Sequence, residues 1–236
     1  MGLGAVDLWR VDLRYARDSE EHPEKVLDTE EQRRAARFHF QRDRDRFVAA
    51  RAALRRILAP YLDQRPERVR FAYTAAGKPY LTESPDLQFN LSHAADQLLV
   101  GVSRGRRLGV DIEQVQLDSV VDETSGLVLS QPERTGLKRL SGLERRERFA
   151  FLWTRKEAYI KADGRGLGLE LDLIDVGTSP DRVLLREGNS THWAPCPRWT
   201  LRSFAVDSGY AAAVAAEGLE WTVDHFSWPR DLRVAV

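Results

Sequence analysis

The chain has 236 residues, enough for one large domain or two smaller ones with a sizeable core. Its 36 basic and 36 acidic residues cancel to a formal net charge of zero, which argues against a general nucleic-acid binder, whose footprint is a basic excess. The lone cysteine, Cys196, excludes an intrachain disulfide or a thiolate metal site. With no run of ~18 apolar residues for a membrane span and no basic n-region before an apolar run at the N-terminus, the expectation is a soluble cytoplasmic protein.

In chain order, residues 5–13 predict a strand. Asp28 and Thr29 ahead of Glu30 and Glu31 predict a helix start with acids in its first turn, continuing to about Phe40. A second helix follows over 43–62, with Phe47, Ala50, Leu54, Ile57, Leu58 and Tyr61 as its apolar stripe and Pro60 loosening its last turn. Strands are predicted over 69–73, 87–91, 98–103 and 109–113, with Gly77 and Pro79 marking a turn between the first two. The region 117–142 reads as helical. Ser130-x-x-Glu133 and Ser141-x-x-Glu144 each have the capping-box spacing, and the second opens a long helix to about Ala162, ended by Gly164. The remainder reads as strands over 172–177, 182–186, 198–206, 210–216 and 221–226, with a hairpin turn at Ser208-Gly209. The halves share a rough order of elements, with 98–103 and 210–216 as candidate counterparts.

Chemistry concentrates in a few places. In a strand over 109–113, Asp111 and Glu113 project from one face, and two carboxylates that close favour a cation between them. A hard divalent ion such as Mg²⁺ takes oxygen ligands and suits that gap. Glu157 and Lys161 are four apart on the predicted long helix, hence on one face. Read alone, each pair is also what a solvated strand face or a surface salt bridge looks like. Arg46 and Arg51 could bind phosphates or simply be solvated, and the cluster of Arg42, Arg44, Arg46, Arg51, Arg55 and Arg56 in and beside the second helix favours an anion site, since guanidinium binds phosphate bidentately. Ser92 and His93 end a strand and can both hydrogen-bond a phosphate oxygen. Lysine is scarce, at 25, 78, 138, 156 and 161 only. Lys78, Lys156 and Lys161 therefore stand out as places where a compact ammonium is wanted. Trp153 reads most simply as a core anchor.

Taken together, Gly77-Lys78-Pro79, Phe89-Asn90-Leu91-Ser92-His93, Gly109-Val110-Asp111-Ile112-Glu113, Trp153-x-x-Lys156-Glu157-Ala158-x-x-Lys161 and Gly164-x-Gly166-Leu167 resemble the phosphopantetheinyl transferase superfamily, in its long, surfactin-synthetase-type branch. The resemblance is strong over about 46–167 and its motifs are jointly specific. It implies an α+β fold of two similar α/β subdomains in pseudo-twofold arrangement, with the active site in the cleft between them. The chain would divide into 1–105, 106–227 and a tail over 228–236. The implied reaction moves the phosphopantetheine arm of coenzyme A to a serine of an apo acyl- or peptidyl-carrier protein and releases adenosine 3′,5′-bisphosphate. By the same resemblance Asp111, Glu113 and Glu157 hold Mg²⁺ (or Mn²⁺), Glu157 or a water takes the serine proton, and Lys161 offsets negative charge or holds Glu157. Ser92, His93, Arg46, Lys156 and, less securely, Arg51 contact phosphates, while Lys78 and Pro79 flank the adenine nucleotide. Arg33, Arg34 and Arg37 stand where many relatives have lysines. Ile112 cannot ligate a metal.

Two other readings remain open on the residues. A Mg²⁺ nuclease also gathers acids and a lysine, but Glu113 is followed by Gln114-Val115 and there is no basic excess. A non-catalytic carrier- or nucleotide-binding module would keep the fold, yet need not keep all three acids and Lys161. Carrier contacts are expected at apolar positions near 115–130. The partners expected are coenzyme A and a carrier protein, with neither nucleic acid nor membrane, and a monomer suffices.

Overall fold

The computed structural model describes residues 4–18, 22–75, 77–166, 169–187, 190–207 and 209–228. Leu167, Gly168 and Ser208, and the tail beyond Trp228, lie outside the described residues. The elements run β1 (Ala5–Asp12), α1 (Leu13–Asp18), α2 (Thr29–Ala36), α3 (Gln41–Tyr61), β2 (Phe71–Tyr73), β3 (Pro79–Leu81), β4 (Leu87–Ala94), β5 (Gln97–Arg104) and β6 (Leu108–Gln114). They continue with α4 (Asp118–Val128), α5 (Gln131–Leu137), α6 (Gly142–Asp163), β7 (Ile174–Asp175), β8 (Arg182–Leu185), β9 (Ala194–Ala205), β10 (Tyr210–Glu217) and β11 (Thr222–Trp228).

Among the described residues, β2 and β3 form a small sheet and two large sheets carry the molecule. One has the order β11-β1-β5-β4, the other β6-β10-β9-β8-β7. The runs β1-β5-β4 and β6-β10-β9 are all antiparallel and match one another strand for strand, which is the pseudo-twofold expected. Alternation decides what each strand faces. Trp9, Val11, Val100 and Val102 pack with Leu54, Ile57 and Leu58 of α3. Ala213, Ala215, Trp199 and Leu201 pack with Phe149, Leu152 and Tyr159 of α6. Val6, Leu8, Leu99, Val110, Ile112, Ala212 and Val214 form a third cluster between the sheets. The layers are thus helix, sheet, sheet, helix.

A buried ionic device is repeated in both halves. Asp28 caps α2 in a complete capping box with Glu31. The Glu31 carboxylate is gripped by Arg51 Nε at 2.6 Å and Arg55 Nε at 2.7 Å from α3. Ser130 caps α5 in the same way with Glu133, and Glu133 lies 2.9 Å from the Lys156 ammonium of α6. In each half the carboxylate that closes a short helix also moors it to the long one. The box expected at Ser141 does not form. The chain enters α6 through Gly142 at φ +55°, a left-handed turn that carries the Ser141 hydroxyl away from the helix N–H groups.

Some boundaries move. The helix expected through Phe40 ends at Ala36, and α3 begins at Gln41. The sequence division puts 222–227 with the second subdomain, whereas β11 pairs parallel with β1 in the first sheet. No helix among the described residues is long and apolar enough to cross a membrane.

Candidate active site

The site is built where α6 crosses β6. A Cβ on Gly109 would stand 2.2 Å from the Ala158 carbonyl oxygen and 2.4 Å from the Ala162 nitrogen. Only glycine permits that approach. It lays the last two turns of α6 on the strand face that presents Asp111 and Glu113.

Asp111 is buried. Its Oδ1 accepts from the Lys161 ammonium at 2.5 Å and from the Ser92 hydroxyl at 2.8 Å. The Lys161 ammonium also donates to Ser92 Oγ at 2.9 Å. Ser92 belongs to β4 of the first sheet and Asp111 to β6 of the second, so this trio spans the junction of the halves. Asn90 Oδ1 accepts the Val110 N–H at 2.9 Å and ties the same two strands. The other oxygen, Asp111 Oδ2, is buried and has no hydrogen-bond partner among the described residues. An unpaired buried polar atom costs about 1–3 kcal/mol, so this oxygen is an acceptor waiting for a cation or donor.

Glu113 and Glu157 feel that charge. Burial, with Asp111 repelling it, pushes the Glu113 carboxyl up to about 7. The neighbouring Trp153 side chain offsets part of this rise, and Trp153 also packs, partly buried, against the second core. Burial and then Asp111 also raise Glu157, while Lys161 opposes. These are three hard oxygen donors with a shortage of nearby positive charge, the chemistry of a divalent-ion site. They are not preassembled: among the described residues no three carboxylate, imidazole or thiol groups already form a metal-binding cluster.

The first half shows the same position closed. Asp7 of β1 sits in the equivalent Val-Asp-aliphatic run and accepts the Tyr61 hydroxyl at 2.6 Å, while Trp9 Nε1 donates to that hydroxyl at 2.9 Å. Tyr61 ends α3 as Lys161 nears the end of α6. A phenol in place of the ammonium leaves the carboxyl of Asp7 raised by burial and capped.

Two cavities flank the Gly77–Pro79 loop. The smaller, about 540 Å³, is lined by Arg34, Arg46, Arg51, His93, Gly77 and Pro79, together with aromatic side chains including Phe38 and Phe47. Its cations are partly engaged. Arg46 Nε donates to Asp96 at 2.7 Å. Arg51 is buried, bonded to Glu31 and, at 3.3 Å, to the Tyr73 hydroxyl, and it stacks on Phe71. Arg34 lies over the Phe47 ring. His93 is open to solvent at the rim. Partial burial, then the charges of Lys161 and Arg46, lower its pKa. The larger cavity, about 790 Å³, is lined by Lys78, Arg107 and Lys161 together with apolar residues such as Pro79, Leu81 and Phe89.

One expected residue is elsewhere. Lys156 is fully buried and faces away from both cavities. Its ammonium bonds Glu133 and the carbonyls of Leu171 and Ile174. The reason is helical phase: Leu152, Lys156 and Tyr159 share the apolar stripe of α6 that packs on the second core, about 100° round the helix from Glu157. That spacing is a property of the sequence itself. Arg107 carries no motif that marks it, yet it caps α6 through the Ala162 and Asp163 carbonyls.

Sequence and structure comparisons bear on this arrangement. Residues 107–215 match the model of the 4'-phosphopantetheinyl transferase superfamily, and residues 17–104 match that of the 4'-phosphopantetheinyl transferase N-terminal region. The chain is 32% identical over 219 residues to the 4'-phosphopantetheinyl transferase HetI of Nostoc sp., covering 92% of this chain and 89% of that one. It is 26% identical to the 4'-phosphopantetheinyl transferase Sfp of Bacillus subtilis, over 94% of this chain and 93% of the relative. A crystal structure of a holo-(acyl-carrier-protein) synthase from Bacillus anthracis aligns with 48% of this chain and 96% of its own, at 21% identity and a TM-score of 0.36.

Proposed function

Since the chain belongs to the 4'-phosphopantetheinyl transferase superfamily, we propose that it moves the phosphopantetheine arm of coenzyme A onto a serine hydroxyl of an apo acyl- or peptidyl-carrier protein, with a divalent ion held by Asp111, Glu113 and Glu157. The observation that carries the residue assignment is Asp111 Oδ2, a buried carboxylate oxygen without a partner among the described residues, at the junction of the halves. Mg²⁺, or Mn²⁺ in its stead, would supply charge neutralisation at the pyrophosphate and its leaving oxygen.

The protein's own groups do the rest. Arg46 and His93, with Arg34 beside them, offer donors to the 3′-phosphate side of the coenzyme in the smaller cavity. The Gly77–Pro79 loop flanks the nucleotide. Lys161, held beside Asp111 and Ser92, would face the pyrophosphate with its ammonium and offset the charge that develops as the bond to the leaving phosphate breaks, while the Ser92 hydroxyl fixes Asp111. Glu157, its carboxyl lifted above the usual range, or a water it orients, takes the proton from the incoming serine. Arg51 and Lys156 have no place in this scheme beyond holding the helices. The carrier would meet the exposed apolar residues Leu117 and Leu127 at the two ends of α4, which follows directly on β6. Both halves of the cleft lie in one chain, which suits a cytoplasmic monomer serving nonribosomal peptide, polyketide or fatty-acid carriers.

The test is intact-mass analysis of apo carriers of these three kinds after incubation with the protein, coenzyme A and Mg²⁺. A mass gain of one phosphopantetheine is expected on at least one. Coenzyme A binding with no gain on any carrier would instead favour a non-catalytic binding module.

A pH dependence follows from Glu113. With its folded pKa raised to about 7 against an ordinary value of 4.5, the native protein keeps a proton between those values that the unfolded chain has lost. This group's contribution to stability is therefore present at low pH and is lost as pH rises through that window. A divalent ion needs the ionised form. The thermal stabilisation given by Mg²⁺ is expected to grow from about pH 5.5 to about pH 8, and Glu113→Gln to flatten the rise. A Mg²⁺ shift that is constant across this range would remove Glu113 from the ligand set.

A further inference from the structure

The end of α6 leaves four backbone carbonyls to be satisfied from outside the helix. The Ile160 carbonyl receives the Gly164 N–H at 2.9 Å. Those of Ala162 and Asp163 receive Arg107. The remaining one belongs to Lys161, and the Lys78 ammonium donates to it at 2.6 Å while also donating to the Leu108 carbonyl at 3.3 Å. Lys78 stands on a turn that is itself fixed: Thr74 N–H donates to the Lys78 carbonyl at 2.9 Å, Gly77 N–H to the Thr74 carbonyl at 2.8 Å, and Lys78 N–H to the Thr74 hydroxyl oxygen at 3.1 Å. One ammonium therefore joins the loop of the first half, the start of β6 and the last turn of α6.

Its direction matters as much as its bonds. Gly77 and Pro79 line the smaller, arginine-rich cavity, and Lys78 between them does not; it lines the larger one, with Arg107 and Lys161. Two like-charged neighbours and a carbonyl cage describe a helix-end clamp, favoured by the negative pole of the α6 dipole. They do not describe a free cation aimed at a phosphate. The residue whose carbonyl is clamped is also the one whose side chain rests on Asp111 and Ser92.

We infer that Lys78 is a positioning residue: by holding the carbonyls of Lys161 and Leu108 it fixes the last turn of α6 against β6, and so sets where the Lys161 ammonium stands over Asp111 and Ser92. This rests on the transferase reading above. The Gly77–Pro79 loop then does two things at once. Its backbone walls the nucleotide cavity, and its lysine holds the catalytic helix, so the two halves of the cleft share one brace.

The experiment compares Lys78→Met, Lys78→Arg, Lys161→Met and the Lys78→Met/Lys161→Met double variant with wild type in carrier loading. Wild-type loading tests the transferase reading, and the variants, scored relative to wild type, test this inference. Lys78→Met is expected to lower kcat about tenfold or more with KM for coenzyme A changed by less than about threefold, because the lost bonds order the catalytic helix rather than bind the coenzyme. Lys78→Arg should recover part of kcat. The double variant should be no slower than Lys161→Met alone, since both changes act through one ammonium. Binding of adenosine 3′,5′-bisphosphate, measured by calorimetry, should be unchanged in Lys78→Met. The inference is overturned if KM and nucleotide binding weaken about tenfold while kcat holds. It is equally overturned if the two single effects multiply in the double variant, or if melting falls while the activity of the folded protein does not.

Discussion

Glu157→Gln is expected to lower carrier loading by about 10²- to 10⁴-fold, the range in which positioned proton transfer contributes, and to leave nucleotide binding intact. The same change should not weaken the fold. Glu157 is held above the usual carboxylate range by burial and by Asp111, so its ionised form is disfavoured in the native state. Glutamine keeps the shape and removes the repulsion. Melting temperature should therefore stay level or rise while activity collapses, the pattern of a residue kept for chemistry at the expense of stability. Measuring both on the same preparation is decisive. Near-wild-type loading would remove Glu157 from the mechanism. A clear fall in melting temperature would make it a structural residue instead.

The second large effect is on folding. Glu133→Ala is expected to destabilise the protein by about 3–5 kcal/mol, because it strands the fully buried Lys156 ammonium. It also strips partners from the backbone N–H groups of Ser130 and Val176, which the Glu133 carboxylate accepts at 2.8 Å each. For a chain of this size that corresponds to a melting drop on the order of ten degrees. Pairing it with Lys156→Met should recover part of the loss, since replacing both members of a buried ion pair is far cheaper than removing one. Lys156→Met alone should leave KM for coenzyme A unchanged in the folded protein. A rise in KM would return Lys156 to the substrate. A melting temperature unmoved by Glu133→Ala would mean that the Glu133–Lys156 pair does not moor α5 to α6.

The contrast between Glu157 and Lys156, adjacent in sequence, says how far a chain can be read before its fold is known. Asp111 and Glu113 were placed on one strand face by alternation alone, and the structure keeps them there because even-numbered neighbours Val110 and Ile112 are claimed by the core between the sheets. The Ser130–Glu133 box was legible because a capping box is a local matter. Its second role, receiving Lys156, was not, because that bond joins residues 23 apart through packing of two helices. Arg51 was ambiguous for the same reason: an arginine on a basic helix reads identically whether its partner is a phosphate or, as here, the Glu31 carboxylate 20 residues earlier. Ser141 shows the converse. Its spacing to Glu144 satisfied the local rule, but the left-handed Gly142 between them redirects the hydroxyl. The final strand was found by its pattern, yet nothing in that pattern tells it which sheet to join.

β1 pairs with β11 from Ala5 to Val11, Val6 beside Val223 and Val11 beside Trp228. In the order of synthesis the whole second half lies between β1 and β11. The outer edge of the first sheet therefore waits, open, through synthesis of the entire second half, an exposure that invites mispairing with other strands. Although the molecule looks like a tandem duplication, its first copy has no complete sheet of its own. Expressed as two separate polypeptides cut near residue 105, the halves would need to find each other before the β1 edge is closed, because the strand that closes it is made after the whole second sheet.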